Sequence, residues 1–200
     1  MTEPGCDPTI RFYAENATAY ADHRADPGIR WLERFTSHLR AGAHVLELGC
    51  GNGCDSAWMI ERGFDVMPTD GTPQMATEAS RRLGREAGVL RFQDIDMEQA
   101  FDGIWASACL LHVPRSELPD ILFRIHRALH SGGVFYASYK AGEAEGLDSF
   151  GRYYNYPSQD WLAALYHQFA WSSCRIDCVL GGGYDGQPTE WLHVMAVKAI

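Results

Sequence analysis

No stretch of this 200-residue chain runs to the about 18 uninterrupted apolar residues that a membrane-spanning helix needs. Its opening residues, MTEPGCDPTIRFYAENATAYADH, also lack the basic start and apolar stretch of a secretory leader. The two absences lead us to expect a cytoplasmic protein with no membrane contact. Positive charge is sparse as well: 17 Lys and Arg stand against 26 Asp and Glu, a formal net charge of -9. Such a field repels phosphate backbones and anionic lipid, so no nucleic-acid partner is expected. The densest basic group, Arg81, Arg82 and Arg85, has helical spacing and reads as a solvated face.

Hydrophobic residues make up 46% of the chain and charged ones 22%, which is ordinary globular usage. A chain of this length buries roughly 70% of the surface its unfolded form exposes, so its six cysteines are not needed as disulfide staples. Cys50 with Cys54, and Cys174 with Cys178, show spacings within the loose range of zinc sites. However, Cys50 lies inside a glycine loop, Cys54 opens a helix and the second pair sits on a strand. No metal is expected.

Residues Ile10 to about Arg40 read as helical, in two pieces split at Asp26-Pro27-Gly28, with Ile29, Leu32, Phe35 and Leu39 at helical spacing. They form a helical cap over residues 1–41. Strands then alternate with helices: strands over 44–48, 64–68, 89–92, 101–107, 133–139, 171–180 and 190–198, and helices over 54–62, 72–84, 115–130 and 158–168. The fold class is α/β, a Rossmann-like three-layer sandwich with a mostly parallel seven-stranded sheet. The last two strands have no helix between them and should close it as an antiparallel C-terminal edge hairpin. Residues 141–157 have no clean period and read as an insert or lid on the substrate side, so the chain is expected to form one domain over 1–200.

Glu47-Leu48-Gly49-Cys50-Gly51-Asn52-Gly53 follows an apolar strand and opens a helix. Glycines there permit the tight turn and let a ligand lie against the main chain. Asp70, about 20 residues on, can accept from both ribose hydroxyls of an adenosine. A dinucleotide fingerprint would need a glycine at position 54, where this chain has Cys54. Glu47 would oppose a diphosphate while suiting cationic ammonium and sulfonium groups.

These motifs resemble the class I S-adenosylmethionine-dependent methyltransferases, and the resemblance continues in order. In that family the Glu47–Gly53 run is similar to motif I, with Glu47, Gly49, Cys50, Gly51 and Gly53 around the methionine and ribose. Asp70 resembles the ribose-binding acid, Gly71 and Met75 the segment behind it, and Phe92-Gln93-Asp94-Ile95-Asp96 the third motif, in which Asp94 would accept from the adenine amino group. Phe101–Ala108, including Ser107, looks like motif IV, and Leu129-His130-Ser131-Gly132-Gly133 resembles the entry to the fifth strand, with Ser131 where proline is usual. Tyr13-Ala14-Glu15-Asn16-Ala17-Thr18-Ala19-Tyr20 is similar to the opening of small stand-alone members. There Tyr13 and Tyr20 would close over the methionine end, and Arg24 would meet its carboxylate. Simple packing of the two tyrosines in the cap is the other reading.

The resemblance implies methyl transfer from S-adenosylmethionine to a small-molecule acceptor, leaving S-adenosylhomocysteine. The alternative is a non-catalytic S-adenosylmethionine-binding or regulatory module. His112 follows the motif IV strand and is the candidate catalytic base, although a histidine there can equally line the pocket or anchor its loop. Lys140, Arg152, Tyr153, Tyr154 and Trp191, together with His112, are candidate acceptor contacts, set against a bland reading of the lid as exposed turn. The Ser107-Ala108-Cys109-Leu110 run lacks the Asn/Asp-Pro-Pro-aromatic form seen in methyltransferases of nucleobases and glutamine, which argues against those acceptors.

Overall fold

The computed structural model describes residues 7–23, 28–183 and 186–200. Three helices, α1 (Pro8–Glu15), α2 (Ala17–His23) and α3 (Ile29–Thr36), precede the first strand, where two pieces were expected. Asn16 makes the extra break. Its backbone N–H and its side-chain Nδ2 both donate to the Phe12 carbonyl, ending α1 immediately before α2. The start of α1 is set by Asp7, whose carboxylate accepts from the N–H groups of Thr9 and Ile10 while Pro8 takes the first helical position. Arg24, Asp26 and Pro27 lie outside the described residues.

Beyond the cap come β1 (His44–Leu48), α4 (Cys54–Glu61), β2 (Asp65–Asp70), α5 (Pro73–Leu83), β3 (Gly88–Val89), β4 (Phe101–Ala106), α6 (Leu118–Ala128) and β5 (Leu129–Lys140). A ribbon of β6 (Gly146–Leu147) and β7 (Tyr153–Tyr154) follows, then α7 (Gln159–Tyr166), β8 (Trp171–Gly182) and β9 (Pro188–Lys198). Among the described residues the main sheet has seven strands in the order β3-β2-β1-β4-β5-β9-β8. The pairs from β3 through β5 are parallel, while β5–β9 and β9–β8 are antiparallel. This is the expected Rossmann-like sandwich with its edge hairpin.

Side-chain alternation sorts the sheet into two cores. Val45, Trp105 and Tyr136 meet Leu32, Phe35 and Trp58 of the cap side, while Leu46, Ile104 and Phe135 meet Ile121, Leu122 and Ile125 of α6. Three boundaries differ from the expectation. Pro119 sits in the first turn of α6 and delays its start to Leu118. Strand β5 begins early because Leu129 already pairs with Phe101 before the ladder slips and resumes at Gly103–Val134. β3 keeps only two paired residues, after which the chain turns through a 3-10 segment at Phe92–Asp94. The insert is not a bare loop either: Gly146 and Leu147 pair with Tyr154 and Tyr153.

Candidate active site

Chain order reverses between β1 and β4, and the loops leaving their carboxyl ends meet there. Gly49 leaves β1 with φ +62°, and a Cβ built on it would stand 2.5 Å from Cys109 Cβ. Glycine is therefore demanded twice, by the backbone angle and by the approach of the β4 loop. Gly51 also has φ +57°, but the space a Cβ would take is open, which leaves its backbone available to a ligand. The loop is tied to the cap by Asn52 Nδ2, which donates to the Ala21 carbonyl at 2.7 Å.

Asp70 ends β2 beside this loop. Its Oδ1 accepts from the Thr72 N–H at 2.9 Å and the Thr72 hydroxyl at 3.1 Å, and its Oδ2 accepts from the Gly51 N–H at 3.1 Å. Burial pushes its pKa up, partly offset by those donors. Thr72 also caps α5 by accepting from the Met75 N–H, so one threonine fixes both the carboxylate and the helix behind it.

An inner cavity of about 100 Å³ is bounded by Tyr13, Tyr20, Gly49, Gly51, Asp70, Gly71, Met75, Ser107 and His112. These nine are all residues singled out from the sequence. Thr9, Ile10, Thr72, Phe92, Ala108 and Cys109 complete its wall and were not. A second cavity of about 710 Å³ shares Thr9, Ile10, Gly71, Phe92 and His112 with it and extends to Asp94 and Tyr153. His112 thus stands at the junction.

His112 lies in a 3-10 turn after β4. Its Nδ1 is 2.6 Å from the Tyr153 carbonyl, which can only accept, so Nδ1 carries the proton and donates. Nε2 is then the unprotonated nitrogen and accepts from the Tyr13 hydroxyl at 3.0 Å. Burial lowers the ring's pKa to about 4; the Tyr153 bond opposes the shift, while the charges of Arg152 and Lys140 assist it. Burial also pushes the Tyr13 phenol well above its ordinary value. The turn itself is clamped by Asn155, whose Nδ2 donates to the carbonyls of Leu110 and Val113, both at 3.0 Å.

Asp94 and Tyr153 line the larger cavity, and the remaining sequence candidates fall outside the two cavity walls. Glu47 is buried beneath the loop and accepts from the Ser56 hydroxyl. Cys50 packs against Ala76 and Ala79, Gly53 caps α4, and Ile95 belongs to the core under α6. Arg24 lies outside the described residues. In the lid, Arg152 is 2% exposed and binds Asp148 through Nε at 2.9 Å and Nη2 at 2.7 Å. Those two donors of the fork expected to grip an acceptor are engaged within the lid. The Tyr153 hydroxyl donates to Glu145, and its N–H donates to the Thr9 hydroxyl at 2.8 Å. The Tyr154 ring lies 4.6 Å from the His112 ring. Lys140 Nζ lies 4.7 Å from the Tyr154 ring centre and 6.0 Å from that of Trp191. Among the described residues no cluster of His, Cys, Asp or Glu is arranged to hold a metal, and no helix is long and apolar enough to cross a membrane.

The fold and the glycine loop define a class, and comparison with known proteins agrees. Residues 45–133 match the family model described as a methyltransferase domain. Magnesium-protoporphyrin O-methyltransferase of Rhodobacter capsulatus is 30% identical over 109 residues, covering 52% of this chain and 48% of the relative. Trans-aconitate 2-methyltransferase of Methylobacterium nodulans is 32% identical over 121 residues, covering 57% and 44%. The chain thus spans about half the length of the curated relatives it matches. The Burkholderia thailandensis 1,6-didemethyltoxoflavin-N1-methyltransferase, solved with 1,6-didemethyltoxoflavin and S-adenosylhomocysteine, shares the fold. It superposes with a TM-score of 0.72 at 23% identity, covering 100% of this chain and 94% of that one.

Proposed function

We propose that this protein transfers the methyl group of S-adenosylmethionine to a small-molecule acceptor and releases S-adenosylhomocysteine. The carrying observation is the convergence of the Gly49–Gly51 backbone, Asp70, Met75, Tyr13, Tyr20 and His112 on one cavity at the carboxyl ends of β1 and β4. The residues fit the cofactor in chemistry. Asp70 is a buried acceptor for ribose hydroxyls, and the face of Gly51 is open. Met75 and Phe92 offer apolar surface for adenine, with Asp94 beyond them to accept from its amino group. At about 100 Å³ the inner cavity is below the ~300 Å³ floor of ordinary ligand pockets, so the cofactor must also occupy the adjoining one. When bound, it supplies a methyl carbon already activated by a positive sulfur.

The chain's own residues do the rest. Gly49, Gly51, Ser107 and the two cap tyrosines would surround the methionine end. His112, neutral and with Nε2 bonded to Tyr13, stands where the cavities join and would face the reacting end. The lid over 141–157, with Tyr153 and Tyr154, and Lys140 and Trp191 beside it, would cover the acceptor, and positioning would provide most of the rate. A single domain and a cytoplasmic location belong to this reading, the latter in line with the buried thiols of Cys50, Cys54 and Cys109. The acceptors named for the relatives differ from one another, so they select none for this chain.

Isothermal titration tests the proposal: both S-adenosylmethionine and S-adenosylhomocysteine should bind, and NADH should not. A folded protein that binds neither sulfur compound refutes it. Binding without S-adenosylhomocysteine production across a broad acceptor panel would favour a non-catalytic module.

A further inference from the structure

Strand β8 is an open edge with little of what usually guards one. It ends the sheet on the side away from β3, and among the described residues no strand pairs with its outer side. It runs for 12 residues, Trp171–Gly182, mostly exposed and containing neither Lys nor Pro. The ladder behind it shows which groups the edge offers. The Ala141 N–H donates to the Glu190 carbonyl, so even-numbered residues of β9 turn their backbone groups towards β5 and odd-numbered ones towards β8. Those odd residues pair with odd residues of β8 from Ser173 to Gly181, and the Gly183 N–H, donating to the Gln187 carbonyl, continues the series. The N–H and C=O groups of Cys174, Ile176, Cys178 and Leu180 therefore point off the sheet.

The side chains along this edge have a two-fold pattern of charge. Arg175 and Asp177 flank Ile176, and Cys174 and Cys178 flank those. Arg175 Nε and Nη2 each lie 2.8 Å from Asp177 Oδ1, while Arg34 of α3 donates to Asp177 Oδ2 at 2.5 Å. We propose that β8 pairs with β8 of a second copy of this chain, antiparallel and centred on Ile176, joining the two sheets into one.

Ile176 then meets Ile176 of the second copy in a hydrogen-bonded pair, using the outward N–H and C=O of each. Arg175 comes opposite Asp177 of the second copy, and Asp177 opposite its Arg175, which closes a ring of four alternating charges. Opposite charges facing across a strand pair stabilise it, and a network does so better than an isolated pair. Charge also selects the register. A centre on Arg175 would set that residue against itself, and a centre on Asp177 would do the same with carboxylates, both destabilising. A centre between two residues would set outward backbone groups against ones already turned to β9. Because each copy has one such edge, the two-fold pair closes on itself and does not grow into a fibre.

Sedimentation equilibrium of the whole chain tests the pairing. The wild type should approach twice 22.3 kDa as its concentration rises. Arg175→Asp sets Asp against Asp at both contacts and Asp177→Arg sets Arg against Arg, so each should raise the dimer dissociation constant by about tenfold or more. Mixed in equal amounts, the two variants should dimerise again, since every Asp then faces an Arg. A wild type that stays at 22.3 kDa, an Arg175→Asp dimer as tight as the wild type, or a mixture no tighter than its parts overturns the proposal. Circular dichroism establishes that each variant is folded. Should Asp177→Arg fail to fold without its bond to Arg34, oxidation of the wild type with diamide decides the register. The disulfide should join Cys174 to Cys178, whose Cα atoms come about 5.5 Å apart across the pair but lie roughly 13 Å apart along one strand, so only two copies can form it. Links of either cysteine to its own counterpart, or no link, overturn it.

Discussion

Asp70 shows how one side chain serves stability and binding together. Its two oxygens satisfy donors on Gly51 and Thr72, so the carboxylate shapes the loop before any ligand arrives. Replacing it removes a ribose acceptor and also leaves those donors without their partner. Asp70→Ala should therefore weaken S-adenosylhomocysteine binding by more than about 1 kcal/mol, with a stability loss of about 1–3 kcal/mol. Titration calorimetry and urea melts read the two effects, and unchanged affinity would remove Asp70 from the ribose site. Gly49→Ala tests the other end of the loop. A methyl at φ +62° against Cys109 should lower stability by about 2 kcal/mol or more, whereas Gly51→Ala, strained but unobstructed, should lose less. Denaturant midpoints compare the pair. At this scale the glycines and Asp70 were legible because spacing alone carries their geometry. Cys109 and Thr9 were not, since their roles arise only when the β4 loop and the lid come against β1 and α1.

Among the elements, the lid is bound to both the cap and the His112 turn. Thr9 of α1 accepts from Tyr153, Tyr153 accepts from His112, and Asn155 clamps the turn from behind. Arg152 anchors the ribbon from within, packed over Phe12, Phe150 and Tyr154 while its fork holds Asp148. A buried ion pair broken on one side is worse than one replaced whole, because the remaining charge keeps its desolvation penalty. Asp148→Asn should thus cost about 3 kcal/mol, and Asp148→Asn combined with Arg152→Met should recover part of it. A double variant less stable than Asp148→Asn alone would show that Arg152 contributes chiefly through packing on its aromatic neighbours. The alternation of strands and helices made the sheet and its edge hairpin readable in advance. The lid was readable only as an interruption, because its order depends on contacts up to 144 residues away in sequence.

Over the whole molecule, two histidines kept neutral by burial set the direction of its acid response. His112 and His193 are both held near a pKa of about 4 in the folded chain, from an ordinary value of 6.5. His193 stacks on Trp31 at 3.9 Å and shares a 2.8 Å hydrogen bond with the Tyr136 hydroxyl. Between the two pKa values the unfolded chain binds protons that the folded chain refuses, so stability must fall as pH falls from about 6.5 towards about 4. Asp70, raised by burial, works the other way because its folded form takes up a proton more readily. Asp148, Asp177, Glu78 and Glu145 are lowered by their partners, and they extend the loss of stability through the carboxylate range. Urea melts between pH about 7 and about 4.5 should show unfolding free energy dropping with a slope of about two protons from His112 and His193, to which His126, also lowered by burial, adds a part. His193→Gln should remove up to one proton from that slope and leave S-adenosylhomocysteine affinity unchanged, since His193 lines neither cavity. A flat or inverted slope in the wild type would mean that the two imidazoles are not held neutral by burial.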